Sequence, residues 1–157
     1  MIVGILHEGS GLGNQLFRYL MTRILALEKG FDFGMVGKFK GDSFMDLDMG
    51  RPVDFKTHTE YPTGKVVIES DWPLFYEDSS DYDWRINSVK DNSIIDGEFQ
   101  GEMYFIRHKD KVREWLKVEP LDMPENVCVI GFRGGEYVGL NDLFLPQEYW
   151  DEAIVRM

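Results

Sequence analysis

Ile2-Val3-Gly4-Ile5-Leu6, followed by Gly9-Ser10-Gly11-Leu12-Gly13-Asn14-Gln15, is the stretch that decides the fold. An apolar run without polar alternation suits a strand covered on both faces, as in a parallel sheet. From Leu16 the period changes. Leu16, Leu20 and Leu27 recur with Phe17, Met21, Ile24 and Leu25 at steps of three and four, which predicts an amphipathic helix stopped near Lys29-Gly30. Strand, glycine turn and helix in that order open an α/β domain.

Working outward, Phe31–Val36 reads as a second strand, with Asp32 and Gly34 weakening the pattern. Residues 37–63 carry Gly37, Gly41, Gly50, Pro52 and Pro62 among scattered charges and read as loop. Lys65–Glu69 reads as a third strand. Residues 71–83 alternate rings with carboxylates (Trp72, Phe75, Tyr76 and Tyr82 among Asp71, Glu77, Asp78 and Asp81), a surface loop anchored by aromatics. Ser93–Ile95 reads as another strand. Residues 102–117 read as one helix with Phe105, His108, Val112, Trp115 and Leu116 on a shared face. Pro120 and Pro124 bound a connection, which divides the chain into residues 1–123 and 124–157. Asn126–Ile130 then reads as a buried strand leading into Gly131-Phe132-Arg133-Gly134-Gly135-Glu136-Tyr137, and Pro146 opens a last helix.

The bulk properties narrow the classes. With 157 residues the chain holds one domain and little more, and 43% hydrophobic with 29% charged residues is a globular composition. Against 28 acidic residues stand 17 Lys and Arg, a formal net charge of -11. That balance argues against a nucleic-acid footprint and against an anionic membrane surface. No apolar run approaches the roughly 18 residues of a transmembrane helix, and the first residues do not read as a signal peptide. The single cysteine, Cys128, sits in an apolar run, excludes an intramolecular disulfide and suggests a reducing, cytoplasmic setting. His7, His58 and His108 show no metal-site spacing.

Two loops can carry chemistry. In the first, Gly11 and Gly13 let a ligand come close to backbone N–H groups at a helix N-terminus, where anions are favoured. Asn14 can cap the helix or donate its amide to a phosphate or a sugar hydroxyl. The loop lacks the later acidic residue of a dinucleotide fingerprint and the Lys-Ser or Lys-Thr of a Walker loop, so a plain glycine turn stays open. In the second, Arg133 follows a strand among Gly131, Gly134 and Gly135, and its five-donor fork suits a diphosphate. Glu136 can orient it or touch a base or sugar. A surface Arg–Glu pair on a β-turn stays open there.

Together these segments resemble a known family. Gly11-Leu12-Gly13-Asn14-Gln15-Leu16-Phe17-Arg18-Tyr19 is similar to the opening motif of the family 11 glycosyltransferases, the α-1,2-fucosyltransferases. Gly97-Glu98-Phe99-Gln100-Gly101-Glu102-Met103-Tyr104-Phe105 resembles that family's Gly-Tyr-Phe-Gln-Ser-x-x-Tyr-Phe segment. Phe132-Arg133-Gly134-Gly135-Glu136-Tyr137 resembles its Val-Arg-Arg-Gly-Asp-Tyr motif, and Leu145-Pro146-Gln147-Glu148-Tyr149-Trp150 its Leu-Pro-x-x-Tyr-Tyr. The departures are Gly131 for a histidine, Gly134 for the second arginine and Glu136 for the aspartate.

The resemblance implies a Rossmann-like parallel-sheet domain, the N-terminal half of a GT-B glycosyltransferase. Residues 124–157 would be the truncated start of the donor-nucleotide domain. It implies inverting transfer of fucose from GDP-fucose to a galactoside hydroxyl in α-1,2 linkage, with no required cofactor or metal. The partners are then a nucleotide-sugar donor and a glycan acceptor. Arg133 and Glu136 become the catalytic candidates. Gly11, Gly13, Asn14, Gln15 and Arg133 become the donor-binding candidates. Glu136, Glu8 and His7 are the possible bases. The alternatives are a non-catalytic nucleotide-sugar or glycan-binding module on the same fold and a purely structural α/β domain.

Overall fold

The computed structural model describes residues 1–78, 81–120, 122–127 and 146–156. They form two compact units, residues 1–119 and 120–157.

The first unit is an α/β domain. Its centre is a sheet of four parallel strands, β1 (Ile2–Ile5), β2 (Phe33–Val36), β5 (Leu74–Tyr76) and β6 (Ser93–Asp96), in the order β2-β1-β6-β5. The two inner strands are buried at every position, as expected for strands covered on both faces. Helix α1 (Leu12–Lys29) lies on the sheet through Met21, Leu25 and Ala26, which share a core cluster with Ile2, Ile95 and Phe99, and through Tyr19, whose ring meets Phe33 of β2. The helix comes so close at Gly4 that a Cβ there would sit 2.0 Å from Thr22 Oγ1. It ends where the sequence places its stop, with Gly30 in the left-handed conformation at φ 68.

A second, antiparallel pair joins β3 (Lys56–Glu60) to β4 (Lys65–Glu69). Lys65–Glu69 is therefore a strand, as expected, but of a hairpin and not of the parallel sheet. β3 lies in the stretch read as loop, because Lys-Thr-His-Thr-Glu is polar and largely exposed and leaves no hydrophobic period. β5 falls inside the aromatic and acidic loop. It is a short edge strand with Leu74 and Tyr76 exposed, so its only signature is pairing with Ile94–Asp96.

The expected helix over 102–117 is broken. Glu102–Tyr104 and Ile106–His108 are single 3-10 turns, and only Lys109–Trp115 is α-helix, α2. The cause is tertiary. The buried Tyr104 hydroxyl accepts from the Asp83 N–H at 2.8 Å and donates to Glu77 Oε1 at 3.2 Å, which fixes that turn against the β5 side of the sheet. His108, expected as a packed histidine, is half-buried and pairs with Glu28 at 2.7 Å.

In the second unit, Glu125 and Asn126 form a turn, and the final helix α3 runs Gln147–Arg156 directly after Pro146, as its sequence predicts. Val127, expected in a buried strand, is exposed and in no strand, and its N–H donates to the Pro124 carbonyl at 3.2 Å, closing the turn. Residues 128–130 of that expected strand and the whole Gly131–Tyr137 loop lie outside the described residues. Among the described residues, no helix is long and apolar enough to cross a membrane.

Candidate functional site

β1 is the point where the connections diverge. The chain leaves it through α1 to β2 on one side, while β6 lies on the other. In open parallel sheets, ligands collect outside the carboxyl ends of the strands at such a switch point. Three loops meet there: residues 6–11 after β1, 37–43 after β2 and 97–101 after β6.

Gly11 is the N-cap of α1, in extended conformation at φ -67, and Gly13 lies in its first turn. A Cβ at either position would meet nothing within 4 Å, and neither has a positive φ. The fold itself therefore requires glycine at neither position, in contrast to Gly4. The unhindered backbone leaves the helix N-terminus open to an approaching group.

Asn14 does not cap the helix, since Gly11 occupies the cap and has no side chain to offer. Its Oδ1 accepts from Gln100 Nε2 at 3.2 Å, which ties α1 to the loop after β6. Gln15 is fully buried. Its Nε2 donates to the carbonyls of His7 and Lys38, both at 3.0 Å, and its Oε1 accepts from the Lys40 N–H at 2.8 Å. Gln15 thus fastens the loops after β1 and β2 together, and all of its polar atoms are spent on backbone.

A charged cluster, drawn from segments distant in the sequence, lies beneath these loops. Asp96 ends β6, and Arg18 projects from the sheet-facing side of α1; both side chains are 6% exposed. Arg18 donates to Asp96 Oδ1 at 2.5 Å and to Glu98 Oε1 at 2.7 Å, and its Nε has no partner among the described residues. His7 Nδ1 accepts from the Val66 N–H of β4 at 2.9 Å, so the ring proton sits on Nε2 and is donated to the Asp96 carboxylate at 3.0 Å. Both ring nitrogens are engaged, which leaves His7 no free lone pair for a proton. Glu8, another candidate base, is exposed in the loop after β1 and accepts from Thr59 Oγ1 at 3.3 Å.

The loop after β6 is shaped by Glu77. One carboxylate oxygen accepts from both the Glu98 and Phe99 N–H groups, at 2.9 and 3.0 Å. Phe99 is held at φ 49, unusual for a ring-bearing residue, and its side chain is fully buried. With Phe99 turned inward, Glu98 and Gln100 stay exposed and reach Arg18 and Asn14 of α1. The legible signals were an arginine on the apolar face of a helix and an aspartate closing an apolar strand, which need each other once both are buried.

Burial raises the Asp96 carboxyl, but the hydrogen bond from His7, the charge of Arg18 and the Gly97 N–H outweigh it and hold the group below the usual carboxylate range. Burial, with Glu77 nearby, pushes the Tyr104 hydroxyl up to about 12. A carboxyl depressed by folding stabilises the native state above its unfolded value of about 3.9, and that contribution is lost as pH falls through the folded value. Urea midpoints taken from pH 6 downward are therefore expected to fall below pH about 4, and Asp96→Asn is expected to flatten that part of the curve. An unchanged acid slope in the variant would assign the acid sensitivity to other groups.

Arg133 and Glu136 lie outside the described residues. Among the described residues, no group of three or more His, Cys, Asp or Glu side chains is placed to hold a metal ion. Comparison with protein-family models, with curated proteins and with solved structures gave no match.

Proposed function

We propose that this chain belongs to a glycosyltransferase of GT-B architecture that moves fucose from GDP-fucose to a galactoside hydroxyl with inversion. The reading rests on four motif-like segments in family order, and one structural observation carries it. Gly11 and Gly13 stand at the switch point of a parallel sheet with room for a Cβ and no steric reason to be glycine. A ligand that must approach the backbone supplies that reason. The α1 N-terminus and the Asn14 amide nitrogen, which has no partner among the described residues, are the groups of this unit that meet the donor. Arg133 binds the diphosphate and stabilises it as it leaves, with Glu136 orienting it. Glu8 is the carboxylate left to take the acceptor proton on this domain. The single cysteine suits a cytoplasmic setting.

The test is GDP release by the full-length protein given GDP-fucose and a β-galactoside. No turnover above blank would overturn the transferase reading. GDP binding by calorimetry without turnover would favour the binding module, a reading that Gly131 and Gly134 in place of a histidine and an arginine make specific. A second expectation separates ligand approach from folding. Gly13→Ala should raise stability by about 0.5 kcal/mol, because alanine is the better helix former, while lowering transfer about tenfold. Unchanged transfer in that variant would make Gly13 an ordinary turn residue.

A further inference from the structure

A cavity of about 460 Å³ opens between the loops after β1 and β2, lined by Glu8, Lys38, Phe39, Lys40, Asp42 and Ser43. That volume is in the range of small-molecule sites, and it lies at the carboxyl ends of two adjacent parallel strands. Its walls are fixed. Gln15 bonds the backbone on both sides of it, at His7 and at Lys38 and Lys40. Phe39, 3% exposed, is seated in the cluster of Leu6 and Met45 with Leu12 and Leu16 against it.

Glu8 accepts one hydrogen bond, from Thr59 Oγ1 at 3.3 Å, and the charges that line the cavity are otherwise left over by the fold. Two ammoniums and two carboxylates line one cavity, yet among the described residues none of Lys38, Lys40, Glu8 or Asp42 enters an ion pair. The lining is balanced in sign. A diphosphate would meet two carboxylates along with the two lysines, and a nucleobase would find no exposed ring to stack on, since the cavity's one aromatic is buried. A neutral polyhydroxylated ligand suits all four groups. Its hydroxyls donate to carboxylates and accept from ammoniums, and such charge-assisted bonds are the strong ones.

We propose that this cavity is the acceptor subsite, which binds a neutral saccharide through Glu8, Asp42, Lys38 and Lys40. The assignment rests on the transferase reading for its word "acceptor", and on the cavity alone for saccharide binding. It places Glu8 against an acceptor hydroxyl, where a proton must leave.

The full-length protein is titrated with lactose, followed by saturation-transfer NMR, with GDP and glucose 6-phosphate titrated in parallel. Lys38→Met, Lys40→Met and Glu8→Gln are each expected to weaken lactose binding about tenfold and to leave GDP affinity unchanged. All three alter exposed positions, and thermal melts matching the wild type confirm that each variant is folded. If turnover is measurable, the KM for lactose rises in the two lysine variants while the KM for GDP-fucose does not. Lactose that does not bind, or binds the variants as it binds the wild type, overturns the subsite. So does a loss of GDP or glucose 6-phosphate binding in the lysine variants with lactose unaffected. Lactose binding that depends on these residues, with no transfer, upholds the subsite and overturns the transferase reading instead.

Discussion

Asp96→Ala is expected to remove about 3–5 kcal/mol of folding stability, the cost of leaving a buried charge without its partner. Arg18 is the charge left behind. Its Nη1 bond to Asp96 disappears while its Nε already lacks a partner among the described residues, and the side chain is 6% exposed. His7 Nε2 and the Gly97 N–H lose the same acceptor. The remaining partner, Glu98, is 51% exposed, and its attraction is screened by solvent. The contrast within one cluster makes the expectation sharp. Glu98→Gln removes the outer ion pair of the same arginine and is expected to cost less than about 1 kcal/mol. Arg18→Met should fall between the two, because Asp96 keeps His7 and Gly97 and a methionine fills much of the space. Urea unfolding of the three variants measures the series. An Asp96→Ala cost below about 1 kcal/mol, similar to that of Glu98→Gln, would show that water reaches Arg18 and that the cluster does not anchor the strand ends.

That cluster also marks where the sequence could be read and where it could not. Ile2–Ile5 and Leu12–Lys29 were legible because one property dominates each: unbroken apolarity in the strand, and a repeat of three and four in the helix. Ser93–Asp96 was legible for the same reason. β3 was not, since four of its five residues are exposed and it is held by β4 alone. The break in the 102–117 helix was hidden because Tyr104 is drawn to Asp83 and Glu77, partners far away in the chain. The site divides along the same line. Gly11, Gly13 and Asn14 were visible as a local pattern. Gln15 was visible too, but its work of tying two loops together depends on where Lys38 and Lys40 fold. Arg18, Asp96, Glu98 and Gln100 come from segments distant in sequence and meet only through the parallel pairing of β1 with β6.

The largest expected effect on activity is at Arg133. In the proposed transfer, the fucosyl–oxygen bond breaks and negative charge builds on the departing diphosphate, so a donor placed there acts chiefly in the transition state. Glycine stands at 131 and 134, where the resembled family has a histidine and a second arginine, and Arg133 therefore has no neighbouring cation in the motif to share the charge. Arg133→Ala in the full-length protein is expected to lower kcat by about 10²–10³-fold, the usual cost of removing one such donor. The KM for the acceptor should change little, because the acceptor does not touch the diphosphate. Arg133→Lys keeps the charge but not the planar fork that grips two oxygens together, and an intermediate loss of about tenfold is expected. GDP-release kinetics with both substrates varied separates these outcomes. An Arg133→Ala enzyme that turns over at the wild-type rate would place leaving-group stabilisation elsewhere. The unhindered N-terminus of α1 at Gly11 and Gly13 would then carry that role, because unsatisfied N–H groups at a helix start also suit an anion.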